Sequence, residues 1–298
     1  MDAGVVRLAL GDQHSVLLKQ DGSVWSTGYN KYGQLGDGSV VDGIGFVWAL
    51  LSDAKAVAAG SEHSMLLKED GSVWATGSNE RGQIGDGSVD LRTSFKQVIP
   101  SGAKAVAAGY QHSIILKQDG SVWFTGSNES GQLGDGTTSI VKSFKPIIFG
   151  GAHAIAAGDG HSVVLKQDGS VWTTGRNDSG QLGGGQEMYR TSFIKVIASG
   201  MQAVAAGGSH SAVLKHDGTL WATGANDYGQ LGAGTVFDQR IFARVVPSPS
   251  GCVACCRLRS EFAVFVCMFR KTWGSTLLCF TPVIVCARLC FMISSESH

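Results

Sequence analysis

Apolar residues along this chain come in short runs, each closed by turn residues. The stretch from 56 to 99 shows the arrangement: AVAAG (56–60), a two-residue link, HSMLLK (63–68), then Glu69-Asp70-Gly71, then SVWATG (72–77). A loop, SNERGQIGDGS, follows, and a fourth run, FKQVI (95–99), ends the unit. Runs of this length bounded by Gly, Asp and Asn read as strands. An Asp-Gly step between two of them marks a hairpin, because glycine accepts the positive φ that the turn needs. Gly82, Gly85 and Gly87 would break any helix through the loop. The pattern predicts four short antiparallel strands.

The same pattern recurs every 49 residues. His14, His63, His112, His161 and His210 keep that spacing, as do Trp25, Trp74, Trp123, Trp172 and Trp221, and Asn30, Asn79, Asn128, Asn177 and Asn226. Asp-Gly returns at Asp21-Gly22, Asp119-Gly120, Asp168-Gly169 and Asp217-Gly218. A fixed period of this size points to propeller blades or helical pairs, and strand chemistry excludes the helices. The expected fold is all-β: a β-propeller of five 49-residue, four-stranded blades over residues 1–250. It forms a partial or small ring, followed by an irregular tail over 251–298.

The repeated G-x-x-H-S, D-G and G-x-N-x-x-G-Q-L-G elements, with Ile84 in one leucine position, resemble the regulator of chromosome condensation repeat. The resemblance covers residues 5–247 and implies a propeller that usually closes with seven blades. Many members carry tryptophan where Thr27, Thr76, Thr125, Thr174 and Thr223 stand here. The resemblance implies a protein-interaction role. It also offers two alternatives: guanine-nucleotide exchange on a Ran-like small GTPase, and the substrate-recognition propeller of a HECT-type ubiquitin ligase. The founding exchange factor uses an insertion between blades and a basic tail, and the unbroken 49-residue spacing leaves no place for such an insertion.

Positions repeated five times are expected to build the fold. Each histidine is read as a neutral imidazole bonding backbone at a strand start, rather than as one of a ring of metal ligands, which would all have to reach one ion. The tryptophans are read as packing between blades. Lys19, Lys68, Lys117, Lys166 and Lys215 form a solvated rim. One acid per blade at Asp37, Asp86 and Asp135 is too few for calcium. A strand, not a helix, follows each G-Q-L-G-D-G turn, so no phosphate cradle is read there. No nucleophile or general base stands out. The expectation is a non-enzyme with no catalytic residues, cofactor or metal.

Recognition then falls to what varies. Two pairs of residues differ between copies: the two before each histidine, and the two inside N-x-x-G. In a meander the first and third turns emerge on one face, so both pairs belong to one surface. Tyr32, Glu62, Arg81, Tyr110, Glu129, Asp178 and Tyr228 are the candidate protein-binding residues on it. Unconstrained drift of surface turns is the competing account. The apolar connector 39–54, with Trp48, is a candidate second contact.

A formal net charge of zero and the lack of a basic stripe argue against nucleic acid. All seven cysteines lie between Cys252 and Cys290. No secretory signal is read at MDAGVVRLAL, and the expected home is cytoplasmic or nuclear. The tail leaves four readings open. CVACC (252–256) and Ser260 fall in register for a degenerate sixth blade. Cys252, Cys255, Cys286 and Cys290 approach a zinc spacing, while the apolar run 277–293 is interrupted by Pro282 and Arg288 and makes a poor membrane span. Sequence not selected for this fold, as a frameshift would produce, is the fourth. An open ring would invite self-association through its strand edges.

Overall fold

The computed structural model describes residues 4–50 and 52–245. The tail readings over 251–298 lie outside the described residues. Five four-stranded antiparallel sheets follow one another, each a simple meander. Blade 1 is β1 (Val5–Leu10), β2 (His14–Lys19), β3 (Val24–Gly28) and β4 (Gly43–Leu50). Blade 2 is β5 (Ala54–Ala59), β6 (His63–Lys68), β7 (Val73–Gly77) and β8 (Arg92–Ile99). Blade 3 is β9 (Ala103–Ala108), β10 (His112–Lys117), β11 (Ser121–Gly126) and β12 (Val141–Phe149). Blade 4 is β13 (Ala152–Ala157), β14 (His161–Lys166), β15 (Val171–Arg176) and β16 (Tyr189–Ile197). Blade 5 is β17 (Met201–Ala206), β18 (His210–Lys215), β19 (Leu220–Gly224) and β20 (Gln239–Val245).

The Asp-Gly hairpins close on a left-handed glycine. Gly22 N–H meets the Lys19 carbonyl at 3.0 Å, and Gly22 itself has φ 78°. The Asp21 carboxylate takes the Ser23 N–H at 2.9 Å and fixes the turn from the side. The outer strands are longer than expected. β8 starts at Arg92 rather than Phe95, because Thr76 Oγ1 donates to the Arg92 carbonyl at 2.7 Å and holds the strand across a bulge.

The core lies between blades. Val16, Leu18 and Val24 of blade 1 pack with Ala54, Leu66 and Phe95 of blade 2, and Trp74 lies against this cluster. Trp123 and Trp221 lie against the corresponding clusters at later junctions. Each indole is only half-buried, and a lysine closes its outer side: Lys19 Nζ stands 4.6 Å from the Trp25 ring centre, and Lys68 Nζ 4.8 Å from that of Trp74. The rim lysines therefore pack on tryptophan as well as facing solvent.

Polar bonds across each junction repeat with the same period. His14 Nε2 meets Ser64 Oγ at 2.8 Å, and the pairs His63–Ser113, His112–Ser162 and His161–Ser211 lie at 2.8, 3.0 and 2.8 Å. The expected histidine bond to backbone is thus corrected: each of these imidazoles bonds a side-chain hydroxyl of the next blade. Ser64 Oγ in turn donates to the Gln34 carbonyl at 2.8 Å, and Thr76 Oγ1 donates to the Gly33 carbonyl at 2.9 Å. Serine has one proton to give, and the carbonyl takes it. The hydroxyl therefore accepts from the imidazole, which makes each histidine the Nε2–H tautomer. The Nδ1 atoms of His14, His63, His112 and His161 are buried without a partner. Burial lowers their pKa values, to about 4 for His14 and about 3 for the other three.

Candidate functional site

The two variable turns of each blade are joined by one backbone hydrogen bond. Ser78 N–H donates to the Glu62 carbonyl at 2.8 Å, and Tyr29 to Gln13, Ser127 to Gln111, Arg176 to Gly160 and Ala225 to Ser209 repeat it at the same distance. This bond places the residues before each histidine beside the start of the N-x-x-G loop, on one face. The loop is internally tied. Asn79 Oδ1 accepts the Ile84 N–H at 3.0 Å, and Gln83 Oε1 accepts the Arg81 N–H at 3.0 Å. Asn30, Asn128, Asn177 and Asn226 do the same for the residues five positions on. The variable side chains are therefore carried on rigid backbone.

Tyr32, Glu62 and Tyr110 share one neighbourhood. Burial pushes the Glu62 carboxyl up, and the nearby Glu80 and Asp12 carboxylates add to it. Burial also pushes the Tyr110 hydroxyl up, followed by Glu62, Asp12, Asp159 and Tyr32. Tyr110 is nonetheless 44% exposed. Tyr32 stands edge-on to Tyr29, with ring centres 6.2 Å apart. Arg81 Nη1 reaches Glu129 Oε1 at 2.6 Å from blade 2 to blade 3. Asp178 belongs to a separate group: Arg176 Nε donates to its carboxylate at 2.8 Å, and Arg240 of blade 5 donates to its carbonyl at 2.9 Å. Tyr228 lies on blade 5, 59% exposed, with its N–H held by Gln230 at 2.9 Å.

Asp12, Tyr29 and Asp159 complete this surface and were not among the candidates. Asp12 and Asp159 occupy the variable pair before histidine, so their signal was present in the chain. Ser61 Oγ donates to Asp12 Oδ2 at 2.6 Å, a further tie between blades 1 and 2. Asp86 belongs to a different group, bonded to Arg92 and, at 2.8 Å, to Lys96 Nζ. Burial raises its carboxyl, but these cations outweigh that and hold it well below the usual carboxylate range. Among the described residues, no three His, Cys, Asp or Glu side chains gather to hold a metal ion. The zinc spacing read in the tail lies outside the described residues. Among the described residues, which form strands and turns, there is no helix long and apolar enough to cross a membrane.

Repeated meanders joined through their faces define a β-propeller array whose exposed chemistry sits on inter-strand turns. The chain belongs to the RCC1-like domain family, matching it over residues 1–276. Human WBSCR16 is similar in structure, with TM-score 0.73 and 25% identity over 81% of this chain and 67% of that one. Prp20p from Saccharomyces cerevisiae, whose crystal structure was described with its binding properties to Gsp1p and histones, gives TM-score 0.71 at 22% identity. That match covers 83% of this chain and 64% of Prp20p, so the chain spans about two thirds of these relatives' length. A comparison with curated proteins gives no match.

Proposed function

We propose that this chain is a non-enzymatic protein-interaction scaffold that binds a protein partner through the face carrying Tyr32, Glu62, Arg81, Tyr110, Glu129, Asp178 and Tyr228. The observation that carries this reading is Tyr110. It stays 44% exposed among Glu62, Asp12 and Asp159, on a turn bracketed by the Gly109-to-His112 and Ser127-to-Gln111 backbone bonds. Exposed tyrosine on rigid backbone contributes contact area at low entropic cost. The acids around it favour a partner with basic groups. The test compares proteins captured by the wild-type chain and by the Tyr110→Ala/Tyr228→Ala variant. A partner held equally by both ends the reading.

Guanine-nucleotide exchange on a Ran-like GTPase is the second reading, and likeness to Prp20p, which binds Gsp1p, is what supports it. Nucleotide release from such a GTPase, accelerated by orders of magnitude, would replace the scaffold reading.

A further inference from the structure

One side of each blade rests on the blade before it, and the other side receives the blade after it. Where blade 2 rests on blade 1, Val57, Leu66 and Phe95 pack against Val16, Leu18 and Val24. Ser64 Oγ donates to the Gln34 carbonyl at 2.8 Å, and Thr76 Oγ1 to the Gly33 carbonyl at 2.9 Å. Backbone pairs as well: Gly38 N–H donates to the Thr93 carbonyl at 2.9 Å. The receiving side depends on two bare backbone positions. A Cβ at Gly36 would stand 2.5 Å from the Phe95 ring, and one at Gly33 would stand 2.6 Å from Thr93 Cα. The next three junctions repeat the serine-to-carbonyl bond at 2.7, 2.7 and 2.8 Å and the same 2.5 Å approach of glycine to ring.

Each kind of side is left uncovered once among the described residues. Blade 1 keeps the resting side. Leu8, Leu17 and Phe46 hold the positions of Val57, Leu66 and Phe95, while Ser15 and Thr27 hold those of Ser64 and Thr76. Phe46 is 51% exposed where Phe95 is 7% exposed, and Ile44, at the position of Thr93, is fully exposed. Ser15 and Thr27 are partly open, whereas Ser64 and Thr76 are fully buried. Thr27 Oγ1 donates to the Gly43 carbonyl of its own blade at 2.9 Å, the counterpart of the Thr76 bond to Arg92.

Blade 5 keeps the receiving side. Ala212, Leu214 and Leu220 hold the positions of Val16, Leu18 and Val24 and are partly open to solvent. Gly229 and Gly232 keep the left-handed backbone of Gly33 and Gly36, with φ 75° and 69°. Among the described residues, nothing lies within 4 Å of a Cβ built at Gly229. The two sides do not meet within one chain, because a closed junction would cover Phe46 and crowd Gly229.

We propose that blade 5 of one copy receives blade 1 of a second copy, a junction between chains with the contacts that join blades within a chain. Ser15 donates to the Gln230 carbonyl and Thr27 to the Gly229 carbonyl across the copies, and Phe46 lies on Gly232. A second copy is the occupant because this junction continues one that the chain already builds four times. Each half also fits only the other: hydroxyls and a ring on one side, carbonyls and bare glycine on the other. The join is head-to-tail, so every pair still offers one side of each kind, and growth runs until a ring closes or dilution stops it. The proposal goes beyond the partner-binding reading and does not rest on it.

Light scattering of the full chain over a concentration series tests it. The wild-type mass should rise above that of one chain as concentration rises. Phe46→Asp puts a carboxylate against the apolar shelf. Gly229→Asn adds a side chain where β4 of the second copy must lie, and asparagine tolerates the left-handed backbone. Each variant alone should stay at the mass of one chain, with the strand signal in circular dichroism unchanged. An equal mixture decides the matter. Phe46→Asp retains the receiving side and Gly229→Asn the resting side, so together they should reach the mass of two chains and grow no further. A wild-type chain that stays single at every concentration overturns the proposal. So does association that survives either substitution, or a mixture that stays single or grows beyond a pair.

Discussion

His14 and Ser64 stand 2.8 Å apart across the first blade junction, and the serine passes its own proton to the Gln34 carbonyl. A histidine held this way is useful to the fold only while neutral. Protonation would put a charge at Nδ1, where no acceptor waits. Three further junctions repeat the arrangement, so the array concentrates acid sensitivity in one kind of bond.

Stability should fall steeply between pH 7 and pH 5. The folded pKa values of His14, His63, His112 and His161 are about 3 to 4, below the ordinary 6.5. The unfolded chain therefore takes up protons first. The contribution of each histidine is fully present above pH 6.5 and is lost as pH falls toward the folded value. At pH 5 the loss is about 2 kcal/mol per residue, and four together rival the stability of an ordinary domain. Urea midpoints measured at pH 7.5, 6 and 5 check this. A midpoint that holds steady to pH 5 and drops only below pH 4 would assign the acid sensitivity to carboxylates instead.

Ser113 and Ser15 occupy equivalent positions in different surroundings. Ser113 Oγ accepts from His63 at 2.8 Å and donates to the Gln83 carbonyl at 2.7 Å, fully buried. Ser15 begins the array, with no described blade before it. Ser113→Ala should cost about 2–4 kcal/mol by leaving two buried groups unsatisfied, while Ser15→Ala should stay within about 0.5 kcal/mol. Equal effects in urea unfolding would show that the relay contributes nothing.

Much of this architecture is legible in the chain. The 49-residue period and the Asp-Gly hairpins define the strands, and the meander rule places Glu62 and Arg81 on one face, as the Ser78-to-Glu62 bond shows. The junction chemistry is hidden for a physical reason. His14 and Ser15 are neighbours in sequence, but His14 bonds the serine one period later, and a perfect repeat does not tell which copy a side chain serves. Thr76 was conspicuous only as a departure from the family's tryptophan, and its two carbonyl partners, Gly33 and Arg92, come from different blades. Asp86 recurs as one of several acids, and its Arg92 and Lys96 partners follow from strand register alone.

Gly85 and Gly87 both have positive φ, 78° and 87°. They differ in what a side chain would meet. A Cβ at Gly85 falls 2.5 Å from the Phe144 ring and 3.0 Å from Thr125, whereas at Gly87 the nearest atom is Ser143 Oγ at 3.4 Å. Gly87→Ala should cost about 1 kcal/mol, the backbone strain alone. Gly85→Ala should cost at least about 3 kcal/mol, because the ring that wedges blade 3 against blade 2 must move. Similar costs would mean that the shelf is loosely packed.

Two groups of ion pairs separate stability from surface chemistry. Arg81 and Glu129 meet at 2.6 Å with side chains 42% and 62% exposed, so solvent screens them. Arg81→Ala should therefore leave the unfolding midpoint within about 0.5 kcal/mol of wild type. Asp86 is different: its side chain is nearly buried, and Arg92 and Lys96 both bond it. Asp86→Asn would leave two cations facing a neutral amide, at a cost of about 2 kcal/mol, limited because water still reaches Lys96. The depressed carboxyl makes this contribution present above its ordinary pKa and lost as pH falls below it. Urea unfolding of both variants at neutral pH checks the pair. Equal costs for Arg81→Ala and Asp86→Asn would mean that burying the carboxylate adds nothing to its ion pairs.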